Sequence, residues 1–593
     1  MPAVVSRQYY RPGAATAFAV PPACVRTRSF RASVDTVECV PAFGQERTLL
    51  WPQRFSLAHR HTDRETMSGS TRRGFIASTA ALGGAALIGS PATAEVTSKE
   101  GARESPVILP GDARYEDLVL RRTSERFFPR PELFRLPTTT EQVLHAVDGA
   151  MQAGKRVTVR SGGHCYENFV GDGAEVIIDL SAMRQVTFDR HRNAFMIEPG
   201  ASLWTVFERL YLGWGVTIPG GQCGGVAAGG HIQGGGYGAL SRQFGSVVDY
   251  LYAVEVVVVD RSGRARVVVA TREPGDKNRD LWWAHTGGGG GNFGVVTRYW
   301  MRTPGAPGND PARLLPKPPA ETLGATIAWS WRDVTEESFH RLLRNYGEWH
   351  ERNSAPDADQ LLSDYLAEVT DGVPGTITVQ PPHRLPWLAG VKAGSLDQAE
   401  ESGMFKAKAA YLRKRFTDEQ IGTAYTYLTS TDHDNERAVL LLVSYGGKVN
   451  TVAPDATAMP QRDSLMKAIY TVTWTDPNSE QANLDWIRRW YSAMYQDTGG
   501  VPVPNSANDG SYINYPDIDA TDPQWNRSGV PWHALYYKGN YRKLQQVKLR
   551  WDPRDVFHHA MSIKLPPTDL PCQGPSEAVP ATCTALRSPR PCG

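Results

Sequence analysis

Residues 218–238 read Ile-Pro-Gly-Gly-Gln-Cys-Gly-Gly-Val-Ala-Ala-Gly-Gly-His-Ile-Gln-Gly-Gly-Gly-Tyr-Gly. Glycine has no Cβ and reaches backbone conformations that other residues avoid, at an entropic cost on folding. So many together imply a backbone pressed against something flat or charged. One reactive side chain, Cys223, sits inside the run. Upstream lies a second short stretch, Arg160-Ser161-Gly162-Gly163-His164. A glycine pair beside a lone histidine, then a lone cysteine in a glycine bed, implies two side chains fixed to one ligand. The plainer alternatives are a turn or core histidine and a buried inert thiol.

The flanking pattern supplies the scaffold. Thr138 and Glu141 have capping-box spacing, and Val143, Leu144, Val147 and Met151 follow at helical intervals up to Gly154. Residues 156–160 alternate as a strand, so the 160–163 turn follows a strand, where backbone N–H groups hold a pyrophosphate. Further strands are expected at 176–180 and 194–198, and a helix through Leu203, Val206, Phe207 and Leu210. Residues 254–259 and 266–270 form a hairpin pattern around Asp260-Arg-Ser-Gly. Residues 286–296, Thr-Gly-Gly-Gly-Gly-Gly-Asn-Phe-Gly-Val-Val, imitate the G-x-G-x-x-G of a nicotinamide fold. The βαβ unit and the acidic residue about twenty positions on are missing, which argues against that site.

Arg-Ser-Gly-Gly-His, followed by Cys-x-x-Val-x-x-Gly-Gly-His-x-x-Gly-Gly-Gly-Tyr-Gly, resembles the FAD-linked oxidases similar to berberine bridge enzyme, in the vanillyl-alcohol-oxidase superfamily. The resemblance runs from about residue 105 to 566. It implies an α+β fold: a two-part FAD-binding domain plus a middle substrate domain, an antiparallel sheet backed by helices and roofing the flavin. It implies bicovalent FAD, with His164 on the flavin 8α-methyl carbon and Cys223 on C6. Arg160, Ser161, Gly162, Gly163, Cys165, Gly221, Gly230, Asn292, Gly294, Val296 and Asn514 fall at cofactor-binding positions. Val226 falls beside flavin C4a, where dioxygen arrives; valine there goes with oxidase behaviour, bulkier residues with poor oxygen reactivity. A core contact is the plainer reading of Val226, and a structural thiol that of Cys165. His231 has no second ligand at metal-site spacing, so it is read as packing or hydrogen bonding below the flavin, and no metal is expected.

The rest of the chain sets the limits. It has 593 residues, 41% hydrophobic and 21% charged, with net charge +2. That length implies more than one domain, and that charge gives no reason to expect nucleic acid or an anionic membrane. Seven cysteines show no metal spacing and no C-x-x-C. Residues 1–66 lack sustained periodicity and are read as upstream or disordered sequence. Residues 67–94 carry Arg72-Arg73, a short apolar stretch and Ala92-Thr-Ala94, the features of a twin-arginine export signal. Met67 is then the expected start and the protein is expected outside the cytoplasm. The FAD-binding domain is assigned to 95–302, the substrate domain to 303–505, the return to the FAD domain to 506–566, and a disordered tail to 567–593. Helices are expected at 336–353 and 481–496, and strands at 325–331, 438–445 and 468–475. Between residues 353 and 388 few strand-like runs occur apart from 376–380, so the roof is expected to have fewer strands than the family pattern.

The family pattern makes Tyr515, in Ile513-Asn-Tyr-Pro-Asp, the base above flavin N5. It puts a second active-site tyrosine at Tyr237, and Tyr445 stands on a roof strand. Tyrosine ionises near pH ~10, so it serves as a base only with a lowered pKa or with proton loss concerted with hydride loss. A packed ring with a satisfied hydroxyl is the alternative for each. The resemblance thus implies an exported FAD oxidase of an alcohol. The expected substrate is a sugar hydroxyl of a glycosylated natural product or a carbohydrate, with dioxygen as acceptor and hydrogen peroxide as product. A dehydrogenase of the same fold with another acceptor, and a flavin- or carbohydrate-binding protein without turnover, remain open. Bleaching by substrate and recovery in air separate the three.

Overall fold

The computed structural model describes residues 2–10, 36–39, 104–356, 362–375, 377–395, 403–433 and 437–567. The export signal read at 67–94, most of 1–66 and residues 568–593 of the tail lie outside them.

The helix Thr140–Gln152 is the keystone of the first half. Its cap lies one residue later than the sequence suggests. Thr139 accepts from the Gln142 N–H, and the Gln142 side chain, not that of Glu141, reaches back to the Thr138 N–H at 2.8 Å. Val143, Ala146, Val147 and Ala150 point from this helix into one core shared by two sheets. On one side Val107–Ile108, Leu133–Arg135, Val176–Asp179 and Val157–Arg160 form four strands in that order, the last three parallel. On the other, Ala265–Thr271, Leu251–Val259, Val295–Met301, Ala194–Ile197 and Val186–Asp189 form a five-stranded antiparallel sheet. Parallel strands buried on both faces read as continuous apolar runs, as Val176–Asp179 does (Val-Ile-Ile-Asp).

The second half is a seven-stranded antiparallel sheet. Its order is Ile377–Pro386, Glu321–Ser330, Pro2–Tyr10, Thr36–Cys39, Ala438–Ser444, Met466–Trp474, Met404–Leu412. Helices Glu336–Arg352, Asp418–Thr429 and Glu480–Met494 back one face. Side chains alternate along a strand. Leu440, Leu442, Ala468 and Tyr470 therefore meet the helices, while Leu441, Val443, Lys467 and Ile469 turn to the opposite face.

Among the described residues between 353 and 388 the structure places one strand, Ile377–Pro386, over the run expected at 376–380. Three strands of this sheet went unread: Pro2–Tyr10 and Thr36–Cys39, which pair into it although residues 1–66 read as upstream or disordered sequence, and Met404–Leu412, Met-Phe-Lys-Ala-Lys-Ala-Ala-Tyr-Leu. Lys406 and Lys408 make its sequence resemble a solvated edge, yet both are 2% exposed. They face Glu167, Asp517 and Asp519. The strand's free edge is covered by the returning chain: Tyr411 N–H donates to the Gly510 carbonyl and Asp509 N–H to the Tyr411 carbonyl, both at 2.8 Å. The chain closes with the helix Tyr541–Trp551, whose Lys548 is fully buried. Lys548 donates to the carbonyls of Asn292 (2.7 Å) and Phe557 (2.6 Å), which ties the closing helix to the 286–296 loop.

Candidate active site

One cavity lies between the two halves. Of the site residues expected from the sequence, all but Tyr445 line it: Arg160 to Cys165, Gly221, Cys223, Val226, Gly230, Tyr237, Asn292, Gly294, Val296, Asn514 and Tyr515.

The turn after Val157–Arg160 forms its first wall. Arg160 contributes backbone only. Its guanidinium turns away, pairs with buried Asp179 at 2.6 Å and donates to the Leu118 carbonyl at 2.7 Å. Ser161 Oγ donates to the Pro199 carbonyl. Gly163 has φ +81°, and a Cβ there would come 2.7 Å from the Arg121 carbonyl oxygen. Backbone amides and His164 are thereby turned to the cavity. Cys165 is desolvated, which pushes its thiol up to about 11, so it is an unreactive neighbour.

Residues 220–238 form the floor. The Val226 N–H donates to the Cys223 carbonyl at 3.2 Å, so both side chains ride on one tight turn. Ser395 Oγ, from the other half, donates to the Gln222 carbonyl at 3.0 Å and fixes that turn. His231 Nε2 accepts the Gly221 N–H at 3.1 Å. Burial, with Lys467 adding to it, holds the ring down near about 4, so it is a neutral acceptor. A Cβ at Gly236 would lie 2.2 Å from His231 Nε2. Asn292 organises the far wall: its amide donates to the carbonyls of Gly288, Gly289 and Gly290, and its oxygen accepts the Ile563 N–H. That glycine run leads into an antiparallel strand, which excludes the dinucleotide βαβ arrangement.

Aromatic rings form the ceiling. The Tyr237 and Tyr515 hydroxyls share a hydrogen bond at 3.1 Å. Tyr166 stacks on Tyr515, with centroids 5.3 Å apart and planes 1° from parallel. Tyr512 meets Tyr515 edge-on at 5.0 Å. The Asn514 amide donates to the Tyr512 hydroxyl (2.9 Å) and the His231 carbonyl (3.2 Å), joining ceiling to floor. Leu441, Val443 and Ile469 complete the lining from the roof strands. Tyr445 does not line the cavity; it is fully buried and meets Tyr237 edge-on at 5.7 Å.

Lys467 escaped the sequence reading. Its Nζ lies 3.1 Å from the ring centroid of Tyr237, 4.0 Å from Tyr512, 4.3 Å from Tyr411 and 4.4 Å from Tyr445. It has no hydrogen-bond partner among the described residues. Burial drives it well below the ordinary lysine value and drives Tyr237 well above the ordinary tyrosine value, with Tyr515 adding to the latter. Tyr166 and Tyr512 also went unread, although one stands two residues after His164 and the other three before Tyr515. Nothing local to Lys467 gives it away.

The fit of a large flat cofactor rests on the glycines. A Cβ at Gly230 would meet no protein atom within 4 Å, and one at Gly290 only Gln233 Nε2 at 3.9 Å. The protein's own packing does not require glycine there, and the bare backbone at both positions leaves room for a flat ligand to lie on it. Among the described residues no group of three His, Cys, Asp or Glu is placed to hold a metal ion. No described helix is long and apolar enough to cross a membrane.

A glycine floor, a histidine and a cysteine on its rim and a tyrosine ceiling define a flavin-dependent oxidoreductase. Residues 131–267 match the family described as FAD binding domain, and residues 511–564 the family described as Berberine and berberine like. An aclacinomycin-N/aclacinomycin-A oxidase of Streptomyces galilaeus is 48% identical over 544 residues, covering 84% of this chain and 98% of that one. A hexose oxidase of Chondrus crispus is 31% identical over 500 residues, covering 72% and 88%. A solved glycopeptide hexose oxidase, complexed with teicoplanin, is 50% identical with a TM-score of 0.75, covering 78% of this chain and 99% of that one. The chain belongs to the berberine-bridge-enzyme-like FAD-linked oxidoreductases, and FAD is its cofactor.

Proposed function

We propose that the protein oxidises a sugar hydroxyl, on a glycosylated natural product or a carbohydrate, with dioxygen as acceptor and hydrogen peroxide as product. The carrying observation is the Tyr237–Tyr515 hydroxyl pair above the glycine floor, with Lys467 against the Tyr237 ring. The relatives' names, an aclacinomycin oxidase and hexose oxidases, support the substrate class.

Bound FAD supplies the hydride acceptor and the electron route to dioxygen. The chain supplies position and proton handling. His164 and Cys223, which both line the cavity, would hold the flavin covalently. Tyr515 takes the substrate hydroxyl proton as the carbinol hydrogen leaves as hydride, so a carbonyl forms. Burial alone disfavours charge on Lys467 and on the tyrosines. A phenolate in the dyad and a protonated Lys467 would be each other's counter-ion, so each favours the charged form of the other. Cation–ring attraction from four tyrosines adds to this.

The test is anaerobic flavin reduction by a panel of hexoses and aryl glycosides, then admission of air. The expected result is bleaching by at least one member and recovery in air with peroxide. Recovery only with a dye makes the protein a dehydrogenase, and a panel that never bleaches the flavin removes the substrate class. Tyr515→Phe is expected to slow reduction by about 10²–10⁴, the span for loss of a general base. Unchanged reduction rules Tyr515 out as the base. The 67–94 segment supports twin-arginine export of the folded, flavin-loaded protein; Arg72→Lys with Arg73→Lys is expected to strand yellow enzyme inside the cell, and normal secretion of that variant refutes the route.

A further inference from the structure

Behind the tyrosine ceiling lies a buried ionic cluster that joins four chain segments. Lys406 Nζ contacts Glu167 Oε1 at 2.5 Å and Asp517 Oδ1 at 2.8 Å. Lys408 Nζ contacts Asp517 Oδ2 at 2.7 Å and Asp519 Oδ2 at 2.8 Å. Arg488 closes the outer end on Asp519 Oδ1 at 2.8 Å. Three cations face three carboxylates, and all but Arg488 are nearly excluded from solvent. Burial works against the Lys406 charge, but Asp517, Glu167 and Asp519 outweigh it and hold its pKa above the ordinary lysine value. Glu167 Oε1 also accepts the Ile518 N–H at 3.2 Å, so one carboxylate grips two segments.

The cluster is in step with the aromatic stack in front of it. On the cavity side Phe405 meets Tyr166 edge-on at 5.1 Å, and Tyr166 stacks on Tyr515 at 5.3 Å. Behind them stand Lys406, Glu167 and Asp517, one residue after Phe405, one after Tyr166 and two after Tyr515. The same three segments are thus joined twice, through apolar rings on one side and charges on the other. A stack of rings slides at little cost, whereas ion pairs with fixed hydrogen bonds do not.

We propose that Glu167 and Lys406 are positioning residues: their ion pair, anchored on Asp517, fixes where the Tyr515 hydroxyl sits relative to Tyr237 and the substrate. This rests on the reading of Tyr515 as the base, so Tyr515→Phe is measured alongside. If Tyr515→Phe reduces its flavin at the parent rate, that reading fails by itself.

The experiment compares the holoenzyme with Glu167→Gln, which keeps the shape and the acceptor for Ile518 N–H but removes the charge facing Lys406. The probe is the hexose or aryl glycoside that bleaches the parent fastest. The expected result is a fivefold or larger fall in kcat for flavin reduction, with KM within threefold of the parent. Arg488→Met weakens the same cluster far from the stack, and is expected to lower Tm while leaving kcat within twofold. A Glu167→Gln kcat within fivefold of the parent overturns the proposal. So does an equal loss in Arg488→Met, which makes the effect general loosening. If Glu167→Gln yields no folded protein, Lys406→Arg is judged by the same criterion. A crystal structure of the variant gives a reading that needs no substrate: a Tyr237–Tyr515 hydroxyl separation beyond 3.5 Å supports the proposal, and an unmoved pair at 3.1 Å overturns it.

Discussion

Gly230→Ala tests the glycine floor directly, because the structure separates what the protein needs there from what a ligand needs. Gly230 lies inside the helix Ala228–Gln233, where alanine is favoured over glycine by about 1 kcal/mol. An added Cβ meets no protein atom within 4 Å. At Gly229 the opposite holds, since a Cβ would stand 2.6 Å from Ser161 Oγ and 3.2 Å from Pro199 Cβ. Gly230→Ala is therefore expected to stabilise the flavin-free protein by up to about 1 kcal/mol, while its methyl group enters the space of the cofactor. Overpacking costs about 1–3 kcal/mol, which weakens flavin binding by about 5- to 150-fold. Two measurements decide it. One is Tm of flavin-free protein, expected to hold or rise. The other is flavin affinity in the His164→Ala/Cys223→Ala background, where no covalent bond masks a loss. Parent affinity in that background refutes the reasoning, because the space over Gly230 then belongs to no cofactor. Gly229→Ala serves as contrast, with stability lost before any flavin is added.

Three further outcomes are expected. Acid-precipitated protein stays yellow, as do His164→Ala and Cys223→Ala singly; native protein that releases all its flavin rules out double attachment. Val226→Leu leaves flavin reduction nearly intact but slows reoxidation in air at least about tenfold, a barrier change of about 1.4 kcal/mol; stopped-flow reoxidation at the parent rate shows Val226 is not the oxygen gate. Burial favours the neutral carboxyl at Asp519, but Lys408, Lys406 and Arg488 outweigh it and hold its pKa below the usual range; Arg160 and Arg121 do the same for Asp179. A depressed folded-state pKa adds stability above the unfolded value and loses it as pH falls through the folded one. Tm is therefore expected to drop as pH is lowered below about 4, with a shallower slope in Asp519→Asn; equal slopes remove Asp519 from the acid response.

The flavin-binding half was legible because its information is local. Glycine runs, a histidine after Ser-Gly-Gly and a cysteine in the floor stand next to one another in sequence, and the cavity assembles from those short segments. Strands such as Val176–Asp179 and helices such as Leu203–Trp214 announce themselves by apolar periodicity. The roof was less legible because its meaning is set by distant partners. Nothing beside Lys406 and Lys408 in sequence marks them as buried, because their partners are Glu167, some 240 residues upstream, and Asp517, some 110 downstream. Tyr445 reads as an active-site tyrosine by its place on a roof strand, but Tyr237 stands between it and the cavity. Arg160 is a case of half-legibility: its backbone lines the cavity, while its charge serves Asp179.

Two lysine environments on adjacent strands show how structure and chemistry divide the roof. Lys406 and Lys467 belong to paired strands, Met404–Leu412 and Met466–Trp474, and face opposite sides of the sheet. Both are buried. Lys406 has carboxylates, and its charge is stabilised beyond that of a free lysine. Lys467 has ring faces and, among the described residues, no hydrogen-bond partner, and burial destabilises its charge. A lysine buried without a counter-ion works against stability, so its presence calls for a state in which a counter-ion exists. The four surrounding tyrosines supply that state when one phenol of the Tyr237–Tyr515 pair gives up its proton. On this view the roof keeps its paired charges on the helix side, where they hold the fold. It keeps the buried amine of Lys467 on the cavity side, against the tyrosine pair that handles the substrate proton.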